Sequence, residues 1–330
     1  MMSSKYELPD KEQIKSDYEK LSPVYKKLIQ EIIYIVEKII QENKFQVSNI
    51  QSRVKTFDSY YKKIVRNEIN EDFFNEIEDF AGIRIIFPYR SDLIKINSII
   101  KKKFRLIREN LHNSQSMPFG YMSDHYIIKI SKSYRGDRYD DIKDLKCELQ
   151  IRTVSMHAWA TVSHHLEYKQ EVDIPSELKS DFMALSGVFY IADSLFEQFK
   201  TARETSQNKL RKSIKTNIFN LKQEVNLDTL RAFLLWKLPD RPKNDDYAYS
   251  ELVGEIKQAN FNDFEKLNEI LDEHMDDFLL DEKKHPPIER TSDPKISIPT
   301  TYSHVGVVRV ICRDIANCEG YPVEEIDEIE

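Results

Sequence analysis

Short β-rich runs alternate with amphipathic helical patterns from Val47 to Lys169, and this alternation constrains the fold more than any other feature of the chain. The helical patterns are Thr56–Asn67, Asp92–Lys102 and Val154–Tyr168. The strand patterns are Gly82–Phe87, Phe104–Arg108, His125–Ile130 and Lys146–Arg152. Strands that alternate with helices form a sheet with helices on its faces. Residues 46–172 are therefore predicted to form an α+β domain, a mixed β-sheet flanked by helices.

The rest of the chain has mainly helical patterns. Residues 1–45 are predicted to be an N-terminal helical segment, because Leu28, Ile32 and Ile35 recur at helical spacing. Residues 173–284 are predicted to be a helical extension. Residues 285–330 begin with a stretch rich in proline, serine and threonine and are predicted to be a linker and C-terminal tail.

Composition excludes several classes of protein. Because 56 acidic residues outnumber 49 basic ones, the net charge is −7, which argues against a general nucleic-acid coat. The chain has seven glycines and lacks the patterns G-x-x-x-x-G-K-[ST], G-x-G-x-x-G and H-E-x-x-H, so any phosphate chemistry must use basic side chains. No run of about 18 apolar residues occurs, which predicts no membrane span. The N-terminus lacks a signal-peptide pattern and the three cysteines lack C-x-x-C spacing, which together predict a cytoplasmic protein.

Two acidic residues associated with strands are candidate metal ligands. On the strand Cys147–Arg152 the side chains of Glu148, Gln150 and Arg152 share one face, where they can bind a metal and phosphates. Asp79 precedes another strand, next to a small Ala-Gly pair that lets a ligand approach the backbone. Two such carboxylates are the minimum for holding Mg²⁺ against a triphosphate. A solvated sheet face and an ordinary turn residue are the alternative interpretations.

Two further groups have the residue types of a nucleotide site. A basic group follows the N-terminal helix and is formed by Arg53, Lys55, Lys62, Lys63 and Arg66. These cations suit a polyphosphate, although a solvated helix face has the same pattern. The segment Gly120–His125 offers Tyr121, whose ring can stack on a base or simply pack in the protein.

Taken in order, five blocks resemble the synthetase domain of the RelA/SpoT family. They are Ser52-Arg-Val-Lys55, Asp79-Phe-Ala-Gly-Ile-Arg84, Gly120-Tyr-x-Ser-x-His125, Glu148-x-Gln-Ile-Arg-Thr153 and Met156-His-Ala-Trp-Ala160 with His164 and Tyr168-Lys169. The resemblance implies a nucleotidyltransferase-like mixed sheet. It also implies an Mg²⁺-dependent enzyme, a GTP/GDP pyrophosphokinase that transfers pyrophosphate from ATP to the 3′-hydroxyl of GDP or GTP. The products would be the alarmone (p)ppGpp and AMP.

The same resemblance implies roles for individual residues. On the ATP side, Arg53 and Arg84 would sandwich the adenine, and Lys55, Lys63 and Arg66 would hold the phosphates. The implied catalytic and metal-binding residues are Asp79 and Glu148, the latter as a metal ligand or as the base toward the acceptor hydroxyl. The implied acceptor-binding residues are Tyr121, Ser123, His125, Gln150 and Lys169.

Departures from the family pattern keep other acceptors open. The acceptor loop Phe119–Ser123 lacks an Asn and an Arg that the family often has there. One alternative is a toxic relative that pyrophosphorylates tRNA 3′ ends, with Lys101–Lys103, Arg105 and Arg108 as a tRNA-binding patch, or that modifies adenosine nucleotides. Another is an inactive nucleotide-sensing scaffold.

Two expectations concern the organisation of the protein. No His-Asp pair of the family's hydrolase domain occurs, so a stand-alone, synthetase-only member is predicted. The C-terminal region is a candidate for homo-oligomer formation or for binding a regulatory protein.

Overall fold

The computed structural model describes residues 10–69, 72–110, 123–165, 174–216, 218–290 and 297–319. The chain divides into two units, residues 1–201 and 202–330, and the division falls within the helix Lys179–Lys215. Each unit has its own hydrophobic core. Among the described residues, no helix combines the length and the apolar character needed to cross a bilayer.

The first unit contains the predicted mixed sheet. Its elements are α1 (Lys11–Asn43), β1 (Asn49–Val54), α2 (Phe57–Arg66), α3 (Phe73–Glu76), β2 (Ala81–Phe87), α4 (Arg90–Lys103), β3 (Phe104–Asn110), β4 (Asp124–Ile130), β5 (Cys147–Thr153), α5 (Val154–His165) and the first part of α6 (Lys179–Lys215). The strand order is β1-β2-β5-β4-β3. β2 and β5 are parallel, and the other neighbours are antiparallel. The predicted α+β fold is thereby confirmed.

The two parallel strands separate an apolar face from a polar face. On β5, Cys147, Leu149 and Ile151 are fully buried, while Glu148 and Gln150 alternate with them on the other face. The predicted two-residue periodicity is therefore observed. β2 follows the same alternation over its first five residues, so the polar residues of both strands lie on one face of the sheet.

Helix α1 supplies much of the core beneath this sheet. Its side chains Leu28, Ile32 and Val36 are fully buried and belong to the same core as the apolar side chains of the strands. The carboxylate of Asp10 caps the helix by accepting a hydrogen bond from the Glu12 backbone N–H at 2.9 Å. The N-terminal segment thus stabilises the sheet from below.

The second unit is mainly helical. Beyond the last part of α6 it contains α7 (Leu227–Lys237), α8 (Asp246–Gln258), α9 (Glu265–Lys284), β6 (Ile288–Arg290), β7 (Ser297–Pro299) and α10 (His304–Glu319). A buried His304 bridges the Tyr249 hydroxyl and the Leu238 carbonyl, at 2.7 and 2.9 Å. The apolar run Val305–Ile311, in the region predicted to be linker and tail, supplies the buried side of α10 through Val305, Val307, Val308 and Ile311.

β1 and α6 differ from the sequence patterns. β1 is a regular edge strand, although no strand is predicted there, because its residues alternate only weakly between polar and apolar. Helix α6 runs unbroken to Lys215, beyond the apolar stretch that ends at Phe199, because the polar residues after Thr201 continue the helix.

Candidate active site

The polar face of β1, β2 and β5 forms one side of a small cavity. In the sheet register Gly82 lies between Arg53 and Glu148, and Arg84 lies next to Gln150. Side chains at these paired positions project to the same side. The resulting cavity has a volume of about 180 Å³. It is lined by Gln51, Ser52, Arg53, Asp79, Gly82, Ile83, Arg84, Glu148 and Gln150.

Asp79 is held by two lysines at the edge of the cavity. The Lys55 ammonium lies 2.8 Å from one carboxylate oxygen, and the Lys63 ammonium lies 2.8 Å from the other. Lys55 is fixed because its backbone N–H donates to the Phe80 carbonyl at 2.8 Å. Lys63 is directed toward Asp79 because α2 buries Tyr60 and Ile64 on its inner side.

The two lysines also set the charge of Asp79. Burial is the largest single influence and raises the pKa of the carboxyl group. The hydrogen bonds and positive charges of Lys55 and Lys63 together outweigh it, so the pKa lies below its ordinary value of 3.8. Asp79 is therefore ionised at neutral pH and has two cations as neighbours.

Glu148 is also held at both oxygens. His125 Nδ1 lies 2.9 Å from Oε1, and the Gln150 side-chain amide donates to Oε2 at 2.9 Å. His125 Nε2 lies in turn 2.6 Å from the Ser123 hydroxyl. Burial raises the pKa of Glu148, but His125 and Gln150 lower it by more, so the net shift is below the ordinary value of 4.5. The negative charge of Asp79 also raises the pKa of Glu148, because the two carboxylates lie near each other.

Gln150 connects Glu148 to a group of arginines. Its carbonyl oxygen accepts hydrogen bonds from Arg84 Nε at 3.1 Å and from Arg152 Nη2 at 2.9 Å. The two guanidinium donors fix the orientation of the amide, whose NH₂ group must therefore point toward Glu148. Burial, and then the charge of Arg84, lowers the pKa of Arg152 to about 10. Arg152 remains protonated at neutral pH, which keeps this end of the cavity electropositive.

The structure brings together most of the residues predicted for the site. Arg53, Arg84, Asp79, Glu148 and Gln150 line the cavity. Lys55 and Lys63 contact Asp79, and Ser123 and His125 connect to Glu148, as described above.

One predicted residue lies apart from this group, and two others fall in parts of the chain that the structure does not describe. Arg66 is exposed, and its guanidinium hydrogen-bonds the side chain of the neighbouring Asn67 at 3.5 Å, so it does not line the cavity. Tyr121 and Lys169 lie outside the described residues.

Two residues outside the predicted set of site residues contribute to the cavity. The Gln51 side chain accepts a hydrogen bond from Arg84 Nη1 at 3.1 Å, so it positions that guanidinium from the neighbouring strand. It is missed because β1 is not predicted as a strand. Gly82 leaves open space on the cavity floor, since a Cβ added there would have no heavy atom within 4 Å. The Ala-Gly pair before the strand is the sequence signal for this opening.

The carboxylates suit a magnesium ion that arrives with a nucleotide. Asp79 and Glu148 line the same cavity, and the described residues contain no cluster of three or more histidine, cysteine or acidic side chains able to hold a metal. Mg²⁺ is commonly bound through one or two carboxylates together with substrate phosphates and water. The donor set therefore fits a shared Mg²⁺–phosphate site better than a metal site made by protein ligands alone.

The structure is thus a mixed five-stranded sheet, flanked by helices, that carries carboxylates and arginines on one face. Residues 52–173 match the family model described as a region found in RelA / SpoT proteins. The chain belongs to the RelA/SpoT family.

Two curated relatives come from Bacillus subtilis (strain 168). GTP pyrophosphokinase YwaC is 30% identical over 152 residues, which cover 44% of this chain and 70% of the relative. GTP pyrophosphokinase YjbM is 28% identical over 132 residues, which cover 39% of this chain and 61% of the relative. Both matches therefore cover only part of each chain. Both relatives are named as GTP pyrophosphokinases, which is the class of enzyme predicted from the sequence.

A solved structure, a GTP pyrophosphokinase family protein from Streptococcus pneumoniae, matches 58% of this chain and 96% of its own length. The TM-score is 0.50 and the identity is 23%, so this likeness concerns the fold alone.

Proposed function

We propose that this enzyme transfers pyrophosphate from ATP to the 3′-hydroxyl of GDP or GTP, with AMP as the second product. The observation that carries the proposal is the pair of ionised carboxylates, Asp79 and Glu148, which line one cavity with the guanidinium groups of Arg53 and Arg84. Cations and carboxylates together suit a metal-bound polyphosphate, because a site for free phosphate alone would not place two anions beside it.

The ATP side of the proposal rests on β1, β2 and α2. Arg53 and Arg84 project from neighbouring strands onto one face, and planar guanidinium groups stack well on an adenine ring. Lys55 and Lys63 neutralise Asp79 in the absence of nucleotide. When ATP and Mg²⁺ bind, the two ammonium groups can exchange this carboxylate for the phosphates, so the cations are already in place.

The acceptor side rests on Glu148 and the residues that hold it. Because the pKa of Glu148 is lowered, its carboxylate is ionised at neutral pH and is able to accept the proton of the acceptor hydroxyl. Gln150 and His125 fix both oxygens, which keeps the orientation of the base constant. Tyr121 stays a predicted stacking partner for the acceptor base.

The reaction balances with one bond made and one broken at the β-phosphorus of ATP. The acceptor 3′-oxygen attacks that phosphorus, the bond to the α–β bridging oxygen breaks, and AMP leaves with the bonding electrons. Mg²⁺, held by Asp79, Glu148 and the phosphates, would neutralise the charge that develops on the phosphate oxygens. The protein's own contribution is to align the two nucleotides and to remove the proton.

The test is a transfer assay with ATP labelled in its γ-phosphate and purified full-length protein. GDP, GTP, ATP and tRNA are offered separately with Mg²⁺, and labelled products are separated from ATP. We expect label on GDP or GTP. Label on ATP or tRNA alone would favour the relatives with other acceptors, and no transfer to any acceptor would favour an inactive nucleotide sensor.

Two variants test the carboxylates within that assay. Asp79→Asn and Glu148→Gln should each abolish transfer while circular dichroism at the assay temperature shows that each variant stays folded. Glu37→Gln, on the exposed side of α1, is the matched control and should leave transfer unchanged. Near-normal rates in either cavity variant would contradict the proposed roles.

A further inference from the structure

A second cavity lies where the chain leaves β4 at Ile130. The start of β3 forms one side of it, and the β4–β5 connection, residues 131–146, forms the other. Its volume is about 350 Å³, whereas that of the candidate active site is about 180 Å³. The residues that line it differ from those that line the first cavity. Its volume is at the lower end of the range for small-molecule pockets, roughly 300–1,000 Å³.

The β4–β5 connection is held against the rest of the sheet unit. Ile142 in this connection is fully buried in the core. Two ion pairs join the connection to α1, Asp141 with Lys27 at 2.8 Å and Arg138 with Glu31 at 2.7 Å. Exposed ion pairs contribute little to stability, but with the buried Ile142 they fix the direction of the chain. The wall of the second cavity is therefore a fixed part of the fold.

The lining of the second cavity is electropositive. It includes four cations and two carboxylates, so its net charge is +2 in a chain whose net charge is −7. The cations are Arg105, Lys132, Arg135 and Lys143, and the carboxylates are Asp140 and Asp144. Because one cation comes from β3 and the others from the β4–β5 connection, the fold brings them together from two elements.

Both carboxylates already have a cation as a partner. Asp144 lies 3.1 Å from Arg105 Nη2, and Asp140 lies 2.9 Å from Lys143 Nζ. These pairs neutralise both acidic side chains. A metal ion or an amine would have to displace a cation to bind here, whereas an anion would not.

The cavity offers donors beyond these two pairs. Lys132 and Arg135 are exposed, and within the described part of the chain neither makes an ion pair. Arg105 adds a further donor, because its Nε is fully buried and has no hydrogen-bond partner among the same residues. A buried N–H without an acceptor is costly, and an oxygen of an anion bound in the cavity would satisfy it.

The charge of Lys129 responds to the same surplus of cations. Lys129 pairs with Arg105 across β3 and β4. Burial is the largest influence and lowers the pKa of Lys129, and the positive charges of Arg105 and Lys146 lower it further. The opposite effect of Asp144 does not reverse this shift. The cations at this end of the sheet therefore repel one another, and a bound anion would relieve that repulsion.

We propose that the second cavity binds a small molecule through a phosphate group, with Arg105, Lys132 and Arg135 as the phosphate-binding residues. A phosphate monoester carries a charge of about −1.5 to −2 at neutral pH, which matches the surplus of +2. Guanidinium groups suit phosphate because they donate paired N–H···O bonds. Tyr134 and Ile130 also line the cavity and offer apolar surface to the rest of the molecule. This site is independent of the proposed pyrophosphate transfer.

The first test is isothermal titration calorimetry of the full chain without Mg²⁺. The probes are inorganic phosphate, pyrophosphate and ribose 5-phosphate, and we expect a Kd of about 1 mM or lower for at least one of them. Tighter binding of ribose 5-phosphate than of both inorganic anions would identify a sugar phosphate as the ligand class, and the reverse order would identify a free anion. Absence of binding for all three probes at about 10 mM would overturn the proposal.

A double variant assigns the binding to the second cavity. Lys132→Gln combined with Arg135→Gln should raise the Kd at least about 10-fold. Lys15→Gln combined with Lys26→Gln removes the same charge from two exposed lysines of α1 and should change the Kd less than about twofold. Equal losses in the two double variants would overturn the proposal. Binding that is lost in Lys63→Met but kept in the first double variant would also overturn it, because the anion would then bind in the candidate active site.

Two single variants distinguish a specific site from a general positive surface. Arg105→Lys keeps the charge but removes Nε and the planar guanidinium, so it should raise the Kd at least about fivefold. Asp144→Asn removes a negative charge beside Arg105, so it should lower the Kd at least about threefold. Circular dichroism checks that both variants are folded. An unchanged Kd in Arg105→Lys, or weaker binding in Asp144→Asn, would contradict the proposed site.

Discussion

Replacing Gly82 should make the protein more stable and less active at the same time. Gly82 lies in the middle of the proposed site, between Arg53 on one neighbouring strand and Glu148 on the other. A Cβ added there would have no heavy atom within 4 Å, and its φ does not lie in the left-handed region. The protein itself therefore has no steric need for glycine at this position, which leaves the ligand as the reason for it.

The two effects have opposite signs and can be estimated separately. Glycine inside a strand costs roughly 0.5–1 kcal/mol relative to alanine through the entropy of the unfolded chain. Gly82→Ala should raise the free energy of unfolding by about that amount, or the melting temperature by roughly 1–4 °C. Gly82→Val, with a β-branched side chain that suits a strand, should be at least as stable. Its three added carbons would occupy much of the cavity floor, so transfer should fall by at least 100-fold.

The assay pairs thermal unfolding with transfer from labelled ATP for each variant. Gly254→Ala in α8 is a suitable control, because a Cβ added there also meets no atom within 4 Å. It should raise stability by a similar amount and leave transfer unchanged. Full activity in Gly82→Val would show that no substrate occupies the space beside Glu148. A melting temperature lowered by several degrees would show that the space is not open.

Three further predictions concern residues in or near the cavity. Lys63→Met should raise the KM for ATP roughly 10- to 100-fold, because a charge-assisted hydrogen bond contributes about 1.5–3 kcal/mol. The control Lys62→Met, on the exposed side of α2, should change the KM less than about twofold. Equal effects of the two variants would contradict the proposed phosphate contact of Lys63. Thr153→Val removes a hydroxyl that donates to Asp193 and accepts from the Met156 N–H. It should lower the free energy of unfolding by about 3 kcal/mol, or the melting temperature by roughly 6–12 °C. A decrease of less than about 2 °C would argue against both bonds. The pKa of Glu148 is below its ordinary value of 4.5, so its contribution to stability is complete above pH 4.5 and is lost as the pH falls through the lowered pKa. In urea unfolding the difference between wild type and Glu148→Gln should stay constant from pH 7 to about 4.5 and then shrink; a difference that grows on acidification would have the wrong sign.

The strands that carry the site follow directly from local patterns. β5 was predictable because each apolar side chain in its alternation is buried, so hydrophobic burial alone fixes which residues share the polar face. Glu148 on such a strand and Asp79 beside one were accordingly predicted from the sequence, and both line the cavity.

The parts that escaped prediction depend on tertiary contacts. Lys62 and Lys63 are adjacent in sequence, and nothing in their spacing tells which one reaches Asp79. The choice is made by Tyr60 and Ile64, whose burial rotates α2 so that Lys63 points inward. Gln51 was missed because an edge strand such as β1 needs little apolar alternation to pair with its neighbour.

β5 is the central strand of the five and also the last of them in chain order. Arg84 and Gln150, which hydrogen-bond in the finished sheet, are 66 residues apart along the chain. Until β5 inserts between β2 and β4, the sheet lacks Glu148 and the two halves of the cavity have no common floor. Contacts of this sequence separation form late, because the intervening chain must be ordered first. A chain still being synthesised, or one cut before Cys147, therefore cannot assemble the proposed site, and the proposed transfer can start only when the last strand has been placed.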